Sequence, residues 1–226
     1  MASTVGSEIE MARTKQAPPA ATTVLLVRHG QTPTTGKILP GRAPGLHLAD
    51  VGRQQAERAA ERIAELKKVD AVYASPLERA RETAAPIAAA RGLRVQTYKG
   101  LLEADFGEWT GAELKSLMKL PEWTTVQRAP STFTFPGGES FSAMQARMVA
   151  ALDELRSRHP GGTIVCVSHA DPIKAAVAHA MGTHLDLFQR IVISTCSVSA
   201  IAYTAGGPVV LTVNSTGGSL TGLVMS

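Results

Sequence analysis

Two short apolar runs, Val24-Leu25-Leu26-Val27 and Ile164-Val165-Cys166-Val167, constrain this chain more than any other feature. Apolarity without alternation suits strands buried on both faces, as in a mainly parallel sheet covered by helices on either side. Each run ends in a polar turn that carries a histidine: Arg28-His29-Gly30 after the first and Ser168-His169 after the second. Residues 71–74, 94–98, 198–203 and 209–213 are further strand candidates, the last two flanking Gly206-Gly207 as a hairpin would.

Helical periodicity fills the gaps between these strands. Ala59, Ile63 and Leu66 repeat at helical spacing in a segment that begins at Asp50. Ser75-Pro76-Leu77-Glu78 predicts a helix start with Ser75 as N-cap; Pro86 is expected to kink that helix and Gly92 to close it. From Ser140 to about Arg158, Phe141, Met144, Met148, Leu152 and Leu155 form a stripe that core packing explains. A fourth helix is expected from Asp171-Pro172 to Gly182. The alternation predicts an α/β fold, a three-layer α/β/α sandwich with a mainly parallel sheet and an antiparallel edge. Ligands bind beyond the carboxyl ends of strands in such sheets, where His29 and His169 stand. The less regular stretch 107–139 reads as an excursion covering that edge.

With 226 residues, 44% of them hydrophobic and 19% charged, the chain suits one domain with a full interior. Its net charge of +4 is dispersed, so no nucleic-acid footprint stands out. Cys166 and Cys196 lack zinc or redox spacing and read as buried thiols. Glu8, Glu10, Arg13 and Lys15 break up an N-terminal stretch with no signal-peptide core, and no apolar run is long enough for a membrane span. The expectations are a flexible tail over 1–22, a domain over 23–215, a C-terminal tail over 216–226, a cytoplasmic location, and no nucleic-acid or membrane partner.

Alone, a histidine beside an arginine is more often a packing or capping residue than a nucleophile. Its company changes the reading. Arg79 falls in the first turn of a predicted helix and His169 ends a second buried strand, so three donors can surround one phosphate. Arginine forks and imidazoles suit phosphoryl transfer, which needs positioning and offset of charge more than covalent work by the protein. Arg42, in Pro40-Gly41-Arg42, is either a substrate contact or an exposed loop arginine. His47, His159, His179 and His184 do not form a metal site by spacing and read as surface or capping residues.

In these residues the sequence resembles the histidine phosphatase superfamily, which includes phosphoglycerate mutases and many phosphatases. The resemblance runs from about Val24 to Val213 and rests on motifs in order. They are Arg28-His29-Gly30-Gln31-Thr32, Ala74-Ser75-Pro76-Leu77-Glu78-Arg79-Ala80, Glu103 four residues before Gly107, Pro136-Gly137-Gly138-Glu139-Ser140 and Ser168-His169. It implies a phosphoglycerate mutase-like fold, His29 as a phosphohistidine nucleophile, Arg28, Arg79 and His169 around the phosphate, and Glu103 as general acid, with Asp105 a weaker candidate. Gln31, Thr35 and Gly41 are the further substrate contacts expected. No metal or cofactor is implied, and the partner is a small phosphorylated metabolite.

Two positions depart from the pattern: Thr35 stands where many relatives have Asn, and Ala170-Asp171 where Gly and a small or amide residue are usual. A carboxylate beside phosphate would repel it, so Asp171 is expected to turn away and cap its helix. The motif Pro136-Gly137-Gly138-Glu139-Ser140 and the insert, with Lys115, Lys119 and an isolated Arg128, favour a metal-independent phosphomonoester hydrolase. A phosphoglycerate-type mutase and a non-catalytic phospho-ligand binding module are the alternatives. Leu185, Leu187, Phe188, Ile191 and Val192 either fill the core or cover the contact of a homo-oligomer, the core being the simpler account.

Overall fold

The computed structural model describes residues 20–223; the expected N-terminal tail lies, as far as residue 19, outside the described residues. Six strands form one sheet in the order β3-β2-β4-β1-β5-β6. They are β1 (Thr22–Arg28), β2 (Ala71–Ala74), β3 (Val95–Thr97), β4 (Thr163–Ser168), β5 (Val198–Thr204) and β6 (Gly207–Ser215). Neighbours are parallel from β3 through β2 and β4 to β1, whereas β5 runs antiparallel to β1 and pairs with β6 as a hairpin. The two apolar runs lie side by side at the centre, Val24 opposite Ile164 and Val27 opposite Val167. That register brings the loops carrying His29 and His169 out together at one sheet edge.

Helices cover both faces. On one, Leu25, Val27, Val165 and Val167 pack with Ile63 of α1 (Asp50–Ala64) and Ile87 of α2 (Glu78–Ala89). On the other, Val24, Leu26, Ile164 and Cys166 meet Met148 and Leu152 of α5 (Phe141–Ser157) and Ile173 of α6 (Ala170–Ala180). Alternate residues of each strand thus enter opposite layers, which is why neither run shows polar alternation. Full burial of each such aliphatic side chain contributes about 1.5–3 kcal/mol. Two short helices, α3 (Leu114–Leu117) and α4 (Glu122–Arg128), lie in the expected excursion. Trp109, Phe133 and Phe135 of that excursion build a separate aromatic core with Phe106 just before it and Phe141 of α5.

Two helix starts differ from expectation. The N-cap of α2 is Leu77, without a side-chain cap bond, and that of α6 is His169. Ser75 is drawn instead to a distant partner described below, and Asp171 falls inside the first turn of α6 and pairs with Lys174. Ser140 does cap α5, accepting from the Ala143 N–H at 3.0 Å. Of the segment read as a C-terminal tail, the described part, 216–223, is docked: Leu220 is fully buried in the α1–α2 layer, and Arg62 donates to the carbonyls of Gly217 and Gly218 as well as that of Ser215 just before it. Leu185 and Phe188 fill the core, while Val192 is 65% exposed. No helix among the described residues is long and apolar enough to cross a membrane.

Candidate active site

At the carboxyl end of β1 the chain must turn sharply while passing very close to α1. A Cβ on Gly30 would come within 2.5 Å of the Gly52 carbonyl oxygen, and one on Gly52 within 2.0 Å of the Gln31 oxygen. Only glycine fits at both positions. The turn is held further by His29 N–H to the Ser168 carbonyl at 3.0 Å and by Gly30 N–H to Thr83 Oγ1 at 3.0 Å. Thr83 in turn donates to the Arg79 carbonyl at 2.7 Å, which couples α2 to the histidine loop.

His29 is buried, and its Nδ1 lies 2.8 Å from the Gly30 carbonyl oxygen. A carbonyl can only accept, so Nδ1 carries the proton and Nε2 keeps its lone pair. Burial, followed by the charges of Arg79 and Arg28, pushes the His29 pKa down to about 3, so the ring is neutral at ordinary pH. Its ring centroid lies 5.2 Å from that of His169. His169 is fully buried and also held neutral, by burial first and then by Arg79. Its Nε2 lies 2.8 Å from Ser75 Oγ, and that oxygen accepts, at 3.4 Å, from the Leu77 N–H. In the tautomer in which the serine hydroxyl donates to Nε2, the proton of His169 sits on Nδ1, which makes that nitrogen a donor toward the site.

Two guanidinium groups complete the floor. Arg28 donates through Nη1 to the Ile193 carbonyl at 2.7 Å, and Arg79, fully buried, through Nη2 to the Gly41 carbonyl at 2.8 Å. Arg28 Nε, Arg79 Nε and Nη1, and His169 Nδ1 are buried without a protein partner among the described residues. Unpaired buried donors of this kind are costly unless they serve an anion. A planar fork with free N–H groups suits phosphate oxygens.

Glu103 approaches from the other side, its Oε2 at 4.0 Å from His169 Nδ1. Its other oxygen, Oε1, accepts from the Ala104 N–H at 3.0 Å. Burial and, next, the charge of Asp171 raise its pKa to about 7 against the opposing pull of Arg79. The loop is clamped by two arginines. Arg42 Nε donates to the Glu103 carbonyl at 2.8 Å, and Arg147 of α5 donates to the Gly100, Leu102 and Glu103 carbonyls at 2.8, 2.9 and 3.3 Å. Both also reach the Glu139 carboxylate, Arg42 at 3.0 Å and Arg147 through Nε at 2.9 Å. Arg42 is therefore neither of its two expected types but a brace between loops.

The structure brings together Arg28, His29, Arg79, Glu103 and His169, and Thr35 joins Arg28, His29 and Glu103 in lining a cavity of about 300 Å³. Gly41 contributes its carbonyl to Arg79 from beneath. Gln31 sits elsewhere: it is exposed, its N–H bound to Gln55 and its carbonyl to the Ala49 N–H. Asp105 pairs with Arg42 and accepts from the Gly107 N–H, a loop-bracing position. Asp171 lines the cavity beside Lys174 instead of capping α6. Ser75, Thr83 and Arg147 went unread as site residues; an arginine next to the apolar stripe of α5 was the one local signal. His159 meets the Tyr73 hydroxyl at 2.9 Å, and His184 accepts from the Asp186 N–H at 3.2 Å.

Comparison with known proteins finds relatives in sequence and in fold. An uncharacterized protein of Mycobacterium tuberculosis is 40% identical over 158 residues, covering 69% of this chain and 76% of the relative. Phosphoserine phosphatase 1 of Hydrogenobacter thermophilus is 32% identical over 201 residues, covering 85% and 92%. Among solved structures, a phosphoserine phosphatase mutant of Entamoeba histolytica in complex with phosphoserine superposes with a TM-score of 0.78 at 27% identity, covering 86% of this chain and 98% of that one. The family model for the histidine phosphatase superfamily (branch 1) matches residues 24–216, and this chain belongs to that superfamily.

Proposed function

We propose that the chain is a phosphomonoester hydrolase working through a phosphohistidine on His29. The observation that carries this reading is the Nδ1 contact to Gly30, which leaves Nε2 as a free lone pair next to the unpaired N–H groups of Arg28, Arg79 and His169. In the first step Nε2 attacks phosphorus in line, the bond to the leaving oxygen breaks, and the Glu103 carboxyl proton passes to that oxygen. The arginines and the His169 Nδ1–H offset charge on the equatorial oxygens. In the second step water attacks the phosphoryl group as the P–N bond breaks, and the Glu103 carboxylate takes the water proton. Phosphate leaves with Glu103 protonated again. A pKa of about 7 suits a group that must serve as acid and then as base.

Every step draws on groups of this chain, so activity is expected to persist in a chelator. The phosphatase names of two relatives support hydrolysis over return of the phosphoryl group to a bound acceptor. The test is phosphate release from an aryl phosphate, with rapid quench of labelled substrate to trap an acid-labile phosphoprotein. A mutase would isomerise phosphoglycerate with little free phosphate, and a binding module would bind phosphate esters without turnover; either result overturns the reading.

A further inference from the structure

Beyond its phosphate end the cavity is mostly apolar. Leu39, Phe106, Trp123, Val126, Phe135 and Phe141 form its walls. Lys174, Asp171 and Gln189 also line it, but they are engaged with one another. Lys174 Nζ lies 3.3 Å from Asp171 Oδ1 and 3.0 Å from Gln189 Oε1, and it rests 5.8 Å from the centre of the Phe188 ring. The two charged side chains are only 17% and 20% exposed, so solvent weakens their mutual attraction less than at an open surface.

Among the described lining residues Arg28 and Lys174 are the cations. Arg28 faces the phosphate end, which leaves Lys174 as the partner for any acid group on the leaving alcohol. Its charge is already offset. A carboxylate placed there would also face Asp171 and, once ionised, Glu103. An ammonium would meet an Asp171 that already holds Lys174. A ring would instead cover the aromatic and aliphatic walls and gain from leaving water, and a cavity of about 300 Å³ falls in the range that holds small organic ligands.

We propose that Asp171 and Lys174 form a self-neutralised pair that selects phosphomonoesters of uncharged, ring-bearing alcohols over esters whose leaving group carries a charge. The inference rests on the phosphomonoesterase reading of the same site, and it makes Asp171 and Lys174 specificity-determining residues. Equilibrium binding to His29→Ala protein separates the two, because it needs no turnover. Titration calorimetry with 2-naphthyl phosphate, 3-phosphoglycerate and phosphoserine is expected to rank the naphthyl ester tightest, by about tenfold or more. In the His29→Ala, Asp171→Asn double variant, which frees Lys174, the ratio of naphthyl ester to phosphoglycerate affinity should fall about tenfold. Either charged ester binding as tightly as the naphthyl ester overturns the proposal, as does a ratio unmoved by Asp171→Asn. Should the double variant fail to fold, the ranking on His29→Ala alone decides. Failure of the catalytic reading looks different: the ranking holds while wild-type protein releases phosphate from none of the three.

Discussion

The Nδ1–H of His29 donates to the carbonyl oxygen of Gly30, its immediate neighbour, at 2.8 Å. The loop that carries the imidazole therefore also fixes its tautomer, with no third residue required to orient it. Removing the ring removes the nucleophile outright. His29→Ala is expected to lower phosphate release by about 10⁴-fold or more and to abolish acid-labile labelling. Circular dichroism should show an intact fold.

The pH profile follows from two displaced groups. His29 must be neutral, and its pKa of about 3 places the acid limb of kcat/KM near that value. Glu103 must be protonated for the first step, so the rate should fall as pH rises through about 7. An alkyl phosphate shows this limb best because its leaving oxygen needs the proton most. The substrate's own ionisation, near pH ~6, is to be separated by measuring its titration directly. Glu103→Gln should flatten the alkaline limb and slow turnover; a limb retained in that variant would assign it to another group.

Arg79 is tested by a change that keeps charge but removes the fork. Arg79→Lys cannot donate to Gly41 and span the phosphate at once, and a loss of about 10²–10³ in kcat/KM is expected. Inhibition by vanadate, an anion of phosphate-like shape, should weaken in parallel.

Arg147 acts at a distance, through three carbonyls of the Glu103 loop and the Glu139 carboxylate. Arg147→Met should lower kcat about tenfold with a smaller change in KM, and it should move the alkaline limb because the acid is no longer held in place. Arg147→Lys should restore part of both. A general loss of stability with an unmoved limb would instead mean a structural role alone.

Stability should vary with pH in a sense set by the same groups. Glu103 is raised in the folded protein, so its contribution is present below its ordinary value of 4.5 and is lost as pH rises through about 7. Glu103→Gln is therefore expected to raise Tm by about 3 °C at pH 8 and to have little effect at pH 4. His29 is depressed, so its contribution is present above 6.5 and lost as pH falls through about 3. His29→Asn should make the folded state less acid-sensitive. Thermal melts across that range check both signs.

Much of this was legible in the chain itself, and where it was not the reason is physical. The central strands announced themselves because Val24–Val27 and Ile164–Val167 are buried on both faces, and His29 and His169 because they follow those strands. The capping rules failed at Ser75 and Asp171 for different reasons: Ser75 is taken by His169, ninety-four residues away, whereas α6 begins one residue earlier than its capping signal, so that Asp171 falls inside the first turn and pairs with Lys174. For Ser75, local sequence cannot show a competitor that only folding brings near. Arg147 was missed because most of its targets are backbone carbonyls, which carry no sequence signature. Gln31 follows the nucleophile closely in sequence, yet the turn at Gly30 carries it to the outside.

The contact between Gly30 and Gly52 changes what should be counted as part of the active site. Gly52 bears no functional group and sits in a helix, so a survey of chemistry-bearing residues passes over it. Yet its missing side chain is the space through which the loop after His29 runs. In a map of mutational tolerance it should stand out as sharply as the nucleophile, and changing both glycines should be no better tolerated than changing either. An absence of atoms, as much as any arginine, sets the aim of the reacting nitrogen.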